Sequence, residues 1–200
     1  MDAKTQKAEL TRAAIIGAAV DLAAAEGLEA ISLQAVADRI GLSKSGVFSR
    51  VGSREALQKA VIEEFGRRFI AAVFLPAMRL PKGLPRLNDI VSRWIVRMRD
   101  VEIEQGCIYT AGAFELDDRE GELRDFLHSE VSRWRGALRR TVIQAVDEGH
   151  LQADTDPEQL VSEISALSIG LLHDARFLRD TRAAERAQST WARLLKSYQV

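Results

Sequence analysis

The chain has 200 residues, 46% of them hydrophobic, and its 28 Lys and Arg residues nearly balance its 29 Asp and Glu residues. This composition supports a packed core in one large or two small domains and excludes a disordered chain. No apolar run reaches the roughly 18 residues of a membrane span, and charges interrupt the first 22 residues, so we expect no signal segment there. The single cysteine, Cys107, excludes an internal disulfide, so we expect a cytoplasmic protein without membrane contact.

The N-terminal part is predicted to contain a long helix followed by a short amphipathic one. The first helix runs from about Thr5 to Glu26 and buries Ile15, Ala19 and Leu22. Apolar residues then recur at the spacing i, i+3, i+4 and i+7 on a second helix, at Leu33, Val36, Ala37 and Ile40. This spacing gives the second helix one stripe that packs on its neighbours.

Capping residues mark the ends of the second and third helices. Ser32 is a suitable N-cap, and Gly41 can take the left-handed conformation that ends the second helix. Ser43 can cap the third helix, whose side chains up to Arg50 are mostly small and polar, with one large aromatic and two long cations. Such a helix fits the major groove of DNA, so the sequence predicts a helix-turn-helix.

Charge supports this interpretation locally. The stretch from Arg39 to Lys59 contains five basic residues and one acidic residue, Glu55, for a net charge of +4. An anionic partner is therefore expected, since each cation that neutralises a phosphate releases counterions. A solvated basic face is the alternative, and the caps, the turn and the apolar stripe together favour double-stranded DNA over it.

A fourth helix is predicted from Ser53 to about Leu75. Three prolines then fall within ten residues and should interrupt helical geometry: Pro76, Pro81 and Pro85. We therefore expect a helix-turn-helix DNA-binding domain over residues 1–52, a connecting fourth helix over residues 53–75, and a second domain over residues 76–200.

Helical spacing continues beyond the prolines, and no alternation of period two is long enough for a sheet. One helix carries Trp94 and Met98, a short segment near Gly106 to Leu116 follows, and a longer helix contains Trp134 and ends near Gly149. The fold should be all-α.

The last two helices have distinctive patterns. Asp156 and Pro157 supply an N-cap and an N1 proline, and Gln159 can close a capping box. The helix that follows is apolar on more than one face, which one chain alone need not cover. A final helix is predicted from about Arg182 to Ser197.

The motifs between Arg12 and Val61 have a recognisable order. They are Glu26-Gly27 after the first helix, Ile40-Gly41-Leu42-Ser43-Lys44 with Gly46 at the turn, and Ser53-Arg54-Glu55-Ala56-Leu57 at the start of the fourth helix. This order resembles the DNA-binding segment of the tetracycline-repressor (TetR) family of transcriptional regulators. The family usually has Tyr where this chain has Phe48, and a His-Phe-like pair at Arg50-Val51. Phe48 can contact a thymine methyl or a sugar but gives phosphate no hydroxyl, whereas Arg50 adds a charged phosphate contact.

The resemblance implies an N-terminal three-helix helix-turn-helix DNA-binding domain and a C-terminal helical ligand-binding and dimerisation domain. We expect phosphate contacts from Lys44, Arg50 and Arg54 and base contacts from Ser45, Val47 and Phe48. Gly46 would permit close approach of the backbone. The predicted set is completed by Gln34 and Ser43, with Lys4, Lys7 and Arg12 as flanking contacts.

Two further sets of residues follow from the resemblance. The family's subunits pair through their last two helices, which assigns a homodimer interface to Ile164, Leu167, Ser168, Leu171, Trp191, Leu194 and Leu195. A small-molecule effector would enter a cavity in the second domain, with candidate lining residues Trp94, Met98, Cys107, Tyr109, Phe114, Trp134 and His173. In both sets the alternative is ordinary core packing, and for His173 a hydrogen bond to Asp174.

Catalytic machinery is not visible in the sequence. The carboxylates near Asp117-Asp118 have no His at ligand spacing, and no Walker loop, dinucleotide turn or His-Glu-x-x-His motif is present, so neither a metal nor a cofactor is expected. Cys107 is expected to be an inert thiol, with a redox sensor as the alternative.

The predicted function is a ligand-responsive regulator, a repressor that binds a near-palindromic operator as a homodimer and is released by a small apolar or amphipathic effector. The alternative is a helical small-molecule-binding or scaffolding protein that does not bind DNA.

Overall fold

The computed structural model describes residues 2–200, without the side chains of Ala3 and Lys4, so the predicted flank contact of Lys4 lies outside the described part. The described residues form nine α-helices of at least eight residues. They are α1 Ala3–Glu26, α2 Leu33–Ile40, α3 Lys44–Val51, α4 Arg54–Phe69, α5 Leu84–Arg97, α6 Ile108–Glu115, α7 Glu122–Asp147, α8 Pro157–Leu172 and α9 Ala183–Tyr198. Apart from an isolated bridge between Leu151 and Gln199, no β-structure occurs in this range. The predicted all-α class is confirmed.

Three helices continue into a π-helical turn: α4 into Ile70–Phe74, α5 into Met98–Glu102 and α8 into His173–Phe177. The first of these corrects the expectation that Pro76 interrupts the fourth helix, because Pro76 lies inside a further helical turn, Leu75–Ala77. The wide π-helical turn before it relieves the conflict between a proline ring and the carbonyl one turn earlier. The chain leaves helical geometry only after this turn, before α5 begins at Leu84.

Backbone contacts divide the chain into two compact units. The first contains residues up to Arg67 together with Gln105–Glu130, and the second contains Arg68–Glu104 and Val131–Val200. The first unit therefore includes a segment that the sequence assigned to the C-terminal domain, and the functional division at residues 52 and 75 stays a prediction. Within this unit α1, α2 and α3 pack on one another. Ile15, Ala19 and Leu22 are buried as predicted.

In the second unit α9 packs on α8 and on α5. The buried Trp191 of α9 donates its indole N–H to Asn88 Oδ1 at 2.9 Å. At the end of the same helix, the Tyr198 hydroxyl donates to Glu163 Oε2 at 2.8 Å. These bonds fix the middle of α9 to α5 and its C-terminal end to α8. None of the described helices combines the length and apolarity that crossing a bilayer requires.

Candidate nucleic-acid interface

The turn between α2 and α3 is built by the capping residues that the sequence predicted. Ser32 has extended backbone angles and its hydroxyl accepts a bond from Ala35 N–H at 3.0 Å. Gly41 ends α2 in the left-handed conformation, with φ 68° and ψ 32°. Ser43 Oγ accepts from Gly46 N–H at 3.1 Å and opens α3. The predicted helix-turn-helix is confirmed.

Hydroxyl groups on α3 are bonded within the helix itself. Ser43 Oγ and Ser45 Oγ lie 3.1 Å apart, and the Ser49 hydroxyl donates to the Gly46 carbonyl at 2.9 Å. A Cβ atom at position 46 would lie 3.1 Å from Ser43 Oγ. Because Gly46 has no side chain, it leaves room for the Ser43 cap. This is independent of the predicted close approach of its backbone to DNA.

The exposed face of α3 carries both cations and the aromatic ring. Lys44, Arg50 and Phe48 project to solvent, and neither cation has an ion-pair partner among residues 2–200. Val47 has no exposed surface, so the expectation that it contacts bases is wrong. The reason is its place on the helix: position 47 turns toward the helices on which α3 packs, while positions 44 and 48 turn away from them.

Arg54 has a structural role that the sequence did not indicate. Its Nε donates to the Ile31 carbonyl at 2.7 Å, and its Nη2 donates to the Glu29 carbonyl at 2.7 Å and lies 3.4 Å from Glu29 Oε2. These bonds use Nε and Nη2 and attach the start of α4 to the chain before α2. The side chain is still 43% exposed, so its phosphate contact stays a prediction.

Two other polar side chains of the predicted DNA-binding segment, Lys59 and Gln34, also have partners within the protein. Lys59 Nζ lies 2.7 Å from Glu122 Oε2, and this ion pair lowers the pKa of the Glu122 carboxyl group. Gln34, a predicted flank contact, donates from Nε2 to Asp38 Oδ1 at 2.7 Å. The local charge of +4 is thus partly balanced inside the protein, and Lys44 and Arg50 are left as the cations of α3.

The first turn of α4 begins at Ser53, whose hydroxyl oxygen accepts from Ala56 N–H at 3.1 Å. A hydrogen bond with the Ser53 side chain, then one with its own backbone N–H, lowers the pKa of Glu55. The negative charge of this carboxylate interacts favourably with the positive N-terminal end of the dipole of α4. Ser53 and Glu55 therefore supply caps for this helix start from within the chain.

Glu115, at the end of α6, was not identified from the sequence as a site residue. Its Oε2 accepts from Leu28 N–H at 2.8 Å, and its Oε1 accepts from Glu29 N–H at 2.6 Å. On the other side, Gln58 Nε2 donates to the Leu28 carbonyl at 2.8 Å. Glu115, Gln58 and Arg54 together hold residues 28–31, which we call the clamped turn, immediately before the cap of α2. No local sequence signal could reveal a contact between residues 87 positions apart.

Comparisons with known proteins agree with this geometry. A family model described as the C-terminal domain of tetracyclin repressor-like proteins matches residues 83–191, and one for bacterial regulatory proteins of the tetR family matches residues 15–61. The chain belongs to the TetR family.

Individual relatives of this TetR-family chain are distant but match it over nearly their whole length. An uncharacterized HTH-type transcriptional regulator of Bacillus subtilis, YezE, is 21% identical over 174 residues, which cover 86% of this chain and 89% of that protein. A TetR regulator from Chloroflexus aurantiacus has a TM-score of 0.82 at 22% identity, covering 97% of this chain and 98% of that one. A structure described as the molecular basis for control of antibiotic production by bacterial hormones has a TM-score of 0.72 at 25% identity, covering 100% of both chains. The protein is a transcriptional regulator with a DNA-binding domain, and not an enzyme.

The predicted effector-binding residues of this TetR-family regulator are divided between the two compact units. Cys107, Tyr109 and Phe114 belong to the first compact unit, and Phe114 is 62% exposed. In the second unit His173 is exposed and lies 3.1 Å from Asp174, the pairing that the sequence offered as the alternative. Phe114 and His173 are therefore solvent-exposed and not core residues, and their role in effector binding stays a prediction.

Trp94 and Trp134 do meet in the second unit. Their rings are 5.3 Å apart and nearly perpendicular, and Phe69 packs against both at 5.8 and 4.6 Å. Met98 is buried in the same unit. The indole N–H of Trp134 is buried and has no hydrogen-bond partner within residues 2–200.

The predicted dimer-interface residues mostly face the core of their own chain. Buried within the subunit are Ile164, Ser168, Leu171, Trp191 and Leu195, while Leu167 and Leu194 are half-buried. The apolar stripe of α8 is real, but α9 of the same subunit covers it. The side of α8 that remains exposed carries Ala166, Ile169 and Gly170, and continues through His173 to Phe177.

Proposed function

We propose that this TetR-family regulator is a cytoplasmic repressor that binds a near-palindromic operator as a homodimer and is released by a small apolar or amphipathic effector. The observation that carries the proposal is the capped α3, which presents Lys44 and Arg50 to solvent without ion-pair partners within residues 2–200. Cations with no partner in the protein are available to phosphates.

Selection of bound duplexes from a random library tests DNA binding and the symmetry of the operator together. The enriched duplex should contain two inverted half-sites with centres about 34–36 Å apart, one turn of DNA, or a multiple of that spacing. Enrichment of no duplex would support the alternative of a helical binding or scaffolding protein.

A salt titration on the enriched duplex then measures the contribution of α3. Replacing Lys44 and Arg50 together by Ala removes up to four phosphate contacts from a dimer, so the slope of log K against log salt should become shallower by roughly 3 to 4. The matched control replaces Arg79 and Lys82, two exposed cations between α4 and α5, by Ala and should leave the slope unchanged. Equal slopes for the two double variants would contradict the proposal.

The dimer interface is assigned to the exposed side of α8 instead of the residues first predicted. A Cβ atom at Gly170 would meet no other atom within 4 Å, and Ile169 is 43% exposed, so this face has room for a second helix. Replacing Ile169 by Lys should shift the protein to monomers in sedimentation experiments, because a lysine would be buried without a partner. Val96, 38% exposed on α5, offers the control: Val96→Lys should remain dimeric. An Ile169→Lys protein that remains dimeric at the same concentrations would contradict this interface.

The effector site is assigned to the aromatic cluster of Phe69, Trp94 and Trp134. The unpartnered indole N–H of Trp134 can donate to an acceptor atom of a ligand, and the rings supply apolar area. A compound of this class should quench tryptophan fluorescence and weaken operator binding by about 5–150-fold. Trp134→Phe should reduce its affinity while keeping the ring contacts. Compounds that bind the cluster without changing operator affinity would contradict its role in release.

A further inference from the structure

The exposed face of α3 has one large uncharged side chain. Phe48 is 58% exposed, although the residue before it, Val47, has no exposed surface. Phe48 lies one turn after Lys44 on the same side of the helix, so the ring and the cation face the same partner. An aromatic ring that protrudes from the centre of this face will be among the first groups to reach the floor of a groove.

Other polar side chains on this face are partly engaged. The hydroxyls of Ser43, Ser45 and Ser49 each make a bond within α3. Lys44 and Arg50 are the cations available to phosphates, and such contacts set position without specifying sequence. Phe48 is the large apolar side chain that α3 exposes, so it can add an apolar contact to those of the polar and charged groups.

The major groove offers one apolar group, the C5-methyl group of thymine, and phenylalanine is suited to contact it. We infer that Phe48 recognises the C5-methyl group of a pyrimidine in each half-site and is a specificity-determining residue of the protein. The inference rests on the proposed operator binding. Because 5-methylcytosine carries a methyl group at the same ring position, recognition of the methyl group should extend to methylated cytosine.

The test removes single methyl groups from the operator. In the duplex enriched by selection, each symmetry-related pair of thymines is replaced by uracil, which lacks only the methyl group. At one pair the Kd should rise about 14-fold, because one buried methyl group contributes about 3.7-fold in each of two half-sites. At the same position, 5-methylcytosine should bind about 14-fold more tightly than cytosine, because the comparison again differs only by two methyl groups.

Protein variants connect this effect to Phe48. In Phe48→Ala the thymine and uracil duplexes should bind equally, while Phe48→Leu should keep part of the difference. Ser49→Ala, on the same helix, is the matched control and should keep the full difference. Circular dichroism should show that all three variants fold, as expected for exposed positions.

The outcomes separate this inference from the proposed function. If no duplex is enriched, operator binding fails and the inference fails with it. If a duplex is enriched but no thymine-to-uracil change alters the Kd of the wild-type protein, the inference is overturned and operator binding stands. An equal methyl effect in wild type and Phe48→Ala would overturn it as well, since another residue would then contact the methyl group.

Discussion

Replacing Glu115 by Gln should loosen the clamped turn. The carboxylate accepts two backbone N–H groups, from Leu28 at 2.8 Å and from Glu29 at 2.6 Å, and Gly27 before them has no side chain that could cap this turn. A glutamine has one acceptor oxygen in place of two and no charge. One charge-assisted bond is lost, at a cost of about 1.5–3 kcal/mol.

Native-state hydrogen exchange measures this loss at the two amides concerned. Because 1.4 kcal/mol corresponds to a factor of ten, the Leu28 or Glu29 amide should exchange about 10–150-fold faster in Glu115→Gln than in wild type. Glu120→Gln, which removes an exposed carboxylate nearby, should leave both rates unchanged. If both amides exchange at wild-type rates in Glu115→Gln, the carboxylate does not hold the turn and our reasoning is refuted.

Two other side chains give testable differences in stability. Arg54→Ala removes two bonds to backbone carbonyls and should lower the free energy of unfolding by about 1.5–3 kcal/mol, whereas Lys59→Ala, which removes an ion pair with the exposed Glu122, should cost less than about 1 kcal/mol. Urea unfolding of both variants checks this, and equal losses would contradict it. Burial, and then the bond to Glu163, raises the pKa of Tyr198 to about 12 from 10.0. The folded state thus favours the protonated phenol. The contribution of Tyr198 to the free energy of unfolding is therefore complete below pH 10 and is lost between about pH 10 and 12. The urea midpoint of Tyr198→Phe should not fall between about pH 10 and 12 in this way. If the midpoints of wild type and Tyr198→Phe fall in parallel, Tyr198 is not the source of the decline.

Local signals in the sequence predicted the helix-turn-helix because its caps depend on residues within four positions of one another. Ser32, Gly41 and Ser43 were all identified from spacing alone, and the structure confirms each cap. The rotation of α3 about its axis is different, because it depends on the helices against which α3 packs. The i, i+4 pair Val47 and Val51 was the available sign that position 47 faces inward.

The remaining differences are tertiary in origin. The structural bonds of Arg54 could not be predicted, because sequence shows its charge and not the carbonyl of Ile31, 23 residues earlier, to which it bonds. On α8 the strongest apolar stripe was assigned to a partner subunit, but α9 of the same chain covers it. Ala166 and Gly170 on the other side are small and give a weak pattern. Sequence periodicity reveals that a face is buried, but not by which chain.

Close packing of α6 on the clamped turn leads to one more expected result. A Cβ atom at Gly112 would lie 2.7 Å from Leu28 Cδ1 and 3.0 Å from Leu127 Cδ2, and both leucines are buried and cannot swing into solvent. Gly112→Ala should therefore displace α6 or the turn and destabilise the protein by about 1–3 kcal/mol, despite the better helix propensity of alanine.

Gly136, on α7, provides the contrast for this substitution. There a Cβ atom would meet only Arg140 Nη1, at an ordinary 3.6 Å, so Gly136→Ala should be neutral or stabilising. Because Gly112→Ala leaves Lys44 and Arg50 in place, its operator complex should keep the wild-type salt slope even where its affinity falls. The salt slope thus distinguishes a variant in which α3 is displaced from a variant, such as the Lys44 and Arg50 double replacement, in which α3 has lost phosphate contacts. A Gly112→Ala protein as stable as Gly136→Ala would mean that the contact of Gly112 with Leu28 and Leu127 is not tight enough to matter.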